Sequence, residues 1–186
     1  MWYEYAVTVA PTEVVTIAQA RIQARTEAGD GHDDELTALI TTARQFVQKV
    51  TGLLIGSKTE VAKCDYFSDM ARLSIAPVNS VSSIQYVDTD GVTQTLSTDV
   101  YEVRAEGVDP AVVLKYNQSW PSIQPGSRVT LTAVAGYASP DAPIVHAMLL
   151  LIAYWFREHE PVNVGNITSD LSFTVDALLI NHRRNA

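Results

Sequence analysis

The sequence predicts an α+β fold in which helices near both ends of the chain pack together around an inserted antiparallel β block, followed by an extended C-terminal tail. Three observations carry this. Helical periodicity is confined to the stretches before residue 52 and after residue 140. The 22 Val and 17 Thr suit a pleated surface, and the middle of the chain is cut into short β-branched and aromatic runs. Apolar residues make up 47% of the 186 residues against 18% charged, enough to bury a core and unlike a disordered chain.

The first helix starts at Thr16. Thr followed three residues later by Gln19 is a capping-box spacing that satisfies two otherwise orphaned backbone donors, and the helix is expected to run to about Arg25. Gly29, Asp30 and Gly31 then make a loop. The second helix spans Asp33 to Thr51, with Leu36, Leu39, Ile40, Ala43, Phe46, Val47 and Val50 stepping by threes and fours along one face. Acids at its start, Arg44 and Lys49 toward its end, and Gly52 as a left-handed stop agree with the helix dipole and capping rules.

From Ser57 to Gly136 the texture is β. Strands are expected at Thr59 to Tyr66, Arg72 to Ile75, Val81 to Val87, Val92 to Leu96, Tyr101 to Arg104, Val112 to Tyr116 and Arg128 to Ala135. Asp90-Gly91 supplies the tight turn of a hairpin. Six or seven such strands imply a small antiparallel sheet pair or a partial barrel. Asp141 then caps a third helix with Pro143 in its first turn, running to about His159 before Pro161 stops it. The domain reading is therefore one α+β domain over 1–161, with its β insertion at about 57–136, and a C-terminal tail over 162–186.

Charge and cysteine content exclude several functions. The 21 acids against 13 bases give −8, which disfavours independent binding to nucleic acid phosphates and offers no polybasic handle for anionic lipid. A lone Cys64 makes no intrachain disulfide, and Met1 to Pro11 lacks the basic start and apolar stretch of a secretory signal, so a cytoplasmic origin is expected. The run Ile144 to Phe156 is 13 residues long, about 20 Å as a helix against roughly 30 Å of bilayer core. No membrane span is expected.

Chemical motifs are sparse. His32, His146, His159 and His182 are scattered without metal-ligand spacing, so no metal is expected. His146, inside an apolar run, reads most simply as a hydrogen-bonded core or interface histidine, and Glu158-His159-Glu160 as a solvated helix end. Asp88-Thr89-Asp90-Gly91 lacks the later ligands of a calcium loop and reads as a hairpin turn. Glu102, Glu106 and Asp109 could in principle supply the two acids of a glycoside hydrolase, with a solvated acidic rim as the simpler alternative. No nucleophile elbow, phosphate loop or dinucleotide fingerprint occurs, so neither enzymatic activity nor a cofactor is expected.

The layout resembles the head-tail connector, or adaptor, proteins of long-tailed bacteriophages and gene transfer agents. The likeness is carried in order by several segments. Asp33-Asp34-Glu35-Leu36 with Leu39-Ile40, Ala43-Arg44, Val47 and Thr51-Gly52 looks like that family's second helix. Pro77-Val78-Asn79-Ser80-Val81 with Ile84, Tyr86 and Asp88 to Gly91 is similar to its proline-led strand and hairpin. Tyr101-Glu102-Val103, Trp120-Pro121 and Val129 to Thr132 with Ala135-Gly136-Tyr137 follow. Pro143, Ala147 to Leu151 and Tyr154-Trp155-Phe156 stand in the place of its long helix, and Val175 to Leu179 looks like its closing motif. The chain departs from the pattern in a longer Glu27 to His32 loop and in the acids flanking His159.

The resemblance implies a non-enzymatic structural virion protein, assembled in the host cytoplasm. About twelve copies would form a ring between the capsid portal protein and a tail-side completion or stopper protein. DNA would pass through without sequence-specific binding, and an acidic bore would repel its backbone. The tail is expected to lack shelter of its own and to order on the portal through Phe173, Val175, Asp176, Leu178, Leu179, Ile180, Arg183 and Arg184. Burying four of the aliphatics is worth about 1.5–3 kcal/mol each, and the arginines are available to carboxylates. The alternatives are a head-completion or tail-terminator protein of the same junction and, from another class, a carbohydrate-active enzyme using Glu102 and Glu106.

Overall fold

The computed structural model describes residues 1–3, 6–158 and 169–184. It shows the α+β fold that the sequence predicts, arranged as two compact units that each draw on separate stretches of chain. The sheet unit comprises Met1–Thr12 and Ser57–Tyr137, and the helical unit Glu13–Gly56 and Ala138–Ala186. The described part of the C-terminal segment, residues 169–184, falls in the helical unit.

In the helical unit, α1 (Ile17–Ala24) opens with the expected capping box. The Thr16 side chain accepts from the Gln19 backbone N–H, and Gln19 Oε1 accepts from the Thr16 N–H at 2.9 Å. Arg25 ends the helix in the left-handed region, at φ 61°. Next, α2 (Asp33–Thr51) has the predicted bounds and stops at Gly52, φ 70°. Its apolar stripe puts Leu36, Ile40, Ala43 and Val47 in the core, facing Ile144, Met148, Leu151 and Ile152 of α3 (Ala142–Arg157). Edge-to-face ring contacts, Phe46 on Trp155 and His32 on Phe156, add to that interface at the C-terminal end of α3. Buried Arg44 is neutralised by Glu13 at 3.0 Å. The fourth helix, α4 (Ser169–Leu179), packs on α3.

The sheet unit contains a five-stranded antiparallel sheet: β1 (Ala6–Val9), β2 (Lys58–Cys64), β3 (Val78–Val87), β4 (Thr93–Thr95) and β7 (Val129–Ala135), in the order β1-β2-β7-β3-β4. A separate two-stranded ribbon pairs β5 (Tyr101–Arg104) with β6 (Ala111–Leu114). The central strand β7 alternates strictly, with Val129, Leu131, Ala133 and Ala135 buried, as one face of a pleated strand must. Cys64 and Ala62 on β2 and Ile84 on β3 lie on the same buried side. A stack of Phe67 on Trp120, at 4.9 Å and 6° between planes, with Tyr86 against Phe67 at 5.5 Å, anchors a short 3-10 helix at Phe67–Ala71.

Several expectations fail locally. Arg72 to Ile75 is not a strand. Leu73 donates its backbone N–H to the Pro110 carbonyl at 2.9 Å, residues 74–77 are bends, and the stretch before Arg72 is the 3-10 helix, whose Asp69 carboxylate accepts from the Tyr66 N–H at 3.1 Å. The N-terminal strand β1, which the sequence did not announce, exists because Ala6, Val7 and Val9 pair with Val61, Glu60 and Thr59. His146 is exposed rather than a core residue, because α3 turns that position outward between buried Ile144 and Ala147. The expected helix end at His159, and Glu160 beside it, lie outside the described residues.

Candidate docking surface

The residues singled out for partner binding fall on α4 and the turn after it. Helical spacing splits them between two faces. Val175 and Leu179, four apart, are 4% and 0% exposed and form the inward face, with Leu178 half-buried beside them. Phe173 and Ile180, seven apart, are 76% and 63% exposed, and Asp176 and Ala177 are exposed between them. The expectation that all these aliphatics lack intramolecular shelter is therefore corrected for Val175 and Leu179. A helix gathers them on one side and α3 supplies the apolar surface.

The segment is fastened beyond the helix as well. Arg183 Nη2 donates to Asp176 Oδ1 at 2.7 Å, spanning the short 3-10 turn Ile180–His182. The Arg184 N–H donates to the Thr51 carbonyl at 2.7 Å, satisfying one of the acceptors left open at the end of α2. Gly52 lets the two chains approach: a Cβ there would stand 3.4 Å from Arg184 Cβ, in a backbone conformation that already disfavours side chains. His182 Nδ1 lies 3.6 Å from the Asp141 carboxylate at the start of α3. What remains to meet a partner is an outward stripe, Phe173–Ala177–Ile180, flanked by one paired acid and base.

Of the carboxylates weighed for hydrolysis, two are in ion pairs and the third is exposed. Glu102 accepts from Arg104 at 3.0 Å, Asp109 from Arg72 at 2.9 Å, and Glu106 is exposed in the loop between β5 and β6. Asp88 is a structural brace. It accepts from the backbone N–H groups of Asp90 and Val92 at 3.0 and 2.9 Å and from Gln94 at 2.8 Å, and those bonds, Gln94 first, hold its carboxyl below the usual range. Burial pushes the Cys64 thiol up to about 12, with Asp69 adding to the shift, so it is no nucleophile. Among the described residues no three His, Cys, Asp or Glu side chains are grouped to hold a metal, and no helix is long and apolar enough to cross a membrane.

Neither a protein-family model nor a curated protein sequence matches the chain. Solved structures do. The chain is similar to one from the neck of an empty gene transfer agent (GTA) particle computed with C6 symmetry, at TM-score 0.80 and 21% identity over 99% of this chain and 97% of that one. It is similar to one from the virion of a native GTA particle at TM-score 0.79 and 21% identity, with the same coverage. A third, from the neck of a native GTA particle computed with C12 symmetry, matches at TM-score 0.66 and 20% identity over 96% of each chain. The α+β fold of this chain is thus one it shares, end to end, with chains of gene transfer agent particles.

Proposed function

We propose that the protein is a structural subunit of a virion neck, in a phage or a gene transfer agent. About twelve copies form a ring that joins the capsid portal to a tail-side protein and extends the DNA channel. The single observation that carries this is the end-to-end likeness to chains of gene transfer agent necks computed with C6 and C12 symmetry, the kind of symmetry a ring has. The charge of −8 per copy suits a passage through which DNA slides without sticking.

On this reading α4 is the portal-docking element. Phe173 and Ile180 enter the partner, Arg183 and Asp176 meet charged groups at the rim, and Val175, Leu178 and Leu179 hold the helix in its presenting position. Arg184 ties the segment to the end of α2. Repetition around the ring turns a weak single attachment into a firm one.

The test is the mass of the purified chain alone and after mixing with its portal, for the parent, a chain lacking Phe173 to Ala186, and a Phe173→Asp/Ile180→Asp variant. Loss of portal binding in both altered chains supports the reading. Undiminished binding by an intact ring of either overturns the docking role, and a parent that stays a single copy beside its portal overturns the ring.

A further inference from the structure

The five-stranded sheet ends in two open edges, β1 and β4, which have no further strand beside them among the described residues. Open edges are normally blunted by charge or proline. Neither device is present in Ala6-Val7-Thr8-Val9 or Thr93-Gln94-Thr95, whose seven residues are all exposed, although both edges are short and β1 shifts register between Val7 and Val9. Four successive antiparallel pairings separate the two edges, so β1 and β4 run in the same direction. A head-to-tail contact between copies would therefore make a parallel pair.

The registers fix how far one edge must slide to meet the other. One row across the sheet runs from Tyr3, whose N–H donates to the Lys63 carbonyl, through Lys63, Thr130 and Gln85 to Thr95. On that scale β4 occupies Thr95 and the two rows on one side, while β1 lies two to four rows toward the other side. Laying β4 of one copy along β1 of the next requires a stagger of about four residues, or roughly 13 Å, of the kind that tilted strands in closed sheets show.

The charges answer to the same displacement. Near the β1 edge Lys63 is exposed, and Arg128 reaches across β2 to lay its guanidinium 3.6 Å from the Tyr3 ring centroid. Among the described residues neither has a carboxylate in ion-pair range. The two acids nearby are engaged: Asp65 accepts from the Tyr3 hydroxyl at 2.7 Å, and Asp69 from the Met1 ammonium at 2.6 Å. At the other edge the β3–β4 turn carries Asp88 and exposed Asp90, three to four rows below Thr95. The four-residue stagger lifts those two acids level with Lys63 and Tyr3, beside Arg128.

We infer that β4 of one copy adds in parallel to β1 of a second copy, with exposed Asp90 set against Lys63 and Arg128, and that this is the repeated contact of the ring. It rests on the ring reading above and assigns its surface. Main-chain bonds supply the pairing, and the charge pattern selects the register and the partner edge.

A Val9→Cys/Thr95→Cys variant, assembled on its portal and oxidised, tests the contact, since the native Cys64 is buried and does not interfere. A covalent ladder in the double variant, absent in each single variant, is the expected result. Reversal by Lys63→Glu/Arg128→Glu raises the concentration needed for assembly about tenfold or more, and adding Asp90→Lys restores it. A ring of unchanged mass with no ladder and no response to charge reversal overturns the edge contact while leaving the ring in place. A chain that remains a single copy beside its portal overturns both.

Discussion

Arg21 grips Asp33 with two nitrogens, Nε at 2.8 Å and Nη2 at 2.5 Å from the two carboxylate oxygens, and so fastens the end of α1 to the start of α2 across the glycine-rich loop. The hydrogen bonds from Arg21, before its charge, hold the Asp33 carboxyl below the usual carboxylate range. A depressed native value means that the contribution is fully present above the ordinary aspartate value and is lost as pH falls through the native one. Denaturant unfolding of the parent and Asp33→Asn between pH 7 and pH 3 should show a stability gap at neutrality that narrows toward pH 3. A gap independent of pH would assign the effect to the α2 N-terminus instead.

The two faces of α4 make separable demands. Leu179→Ala removes a fully buried side chain and should lower unfolding free energy by about 2–5 kcal/mol. Phe173→Ala, at an exposed position, should leave stability within about 0.5 kcal/mol of the parent. Thermal melts of the two variants decide the matter. A comparable drop for Phe173→Ala would mean that its ring is sheltered in solution.

Lys58 and Glu60 form an ion pair on the buried face of β2, where both side chains are almost wholly out of water. Burial raises the Glu60 carboxyl above its ordinary value, against the opposing pull of Lys58, so this group's contribution declines as pH rises from the ordinary glutamate value to the raised one. Replacing one partner strands a charge: Lys58→Met or Glu60→Leu should each cost about 3–5 kcal/mol, while the double variant should be neutral or gain about 1–4 kcal/mol. Urea titrations of the three variants measure this. A double variant as weak as either single one would show that the pair contributes net stability.

Cys64 should resist alkylation. Its thiol is buried, donates to the Tyr66 carbonyl at 3.3 Å, and is pushed up to about 12, chiefly by burial. At pH 8 the folded chain should react with iodoacetamide at least about a hundredfold more slowly than the denatured chain. Equal rates would mean that β2 opens readily.

Legibility in the sequence followed the locality of the determinants. The bounds of α2 were readable to the residue because periodicity, acids at Asp33 to Glu35 and Gly52 all act within one helix. The capping box at Thr16, the Asp141-Pro143 start of α3 and the strand Tyr101–Arg104 were readable for the same reason. β1 was not, since Ala6 to Val9 becomes a strand only by pairing with residues fifty or more positions away. Nor was α4: Val175 and Leu179 carry a helical spacing, but the surface that shelters them is on α3. The core reading of His146 failed because a helix apolar on most sides still has one side turned outward. The outward stripe of Phe173 and Ile180 was named among the candidates, but only the folded helix separates those two from their buried neighbours.

Lys58 stands opposite Ala135, at the first and last residues of their strands. The polypeptide thus enters and leaves its long β excursion through neighbouring doors, about 5 Å apart. The chain from Thr59 to Val134 is thereby closed into one long loop whose two ends are pinned side by side by backbone pairing.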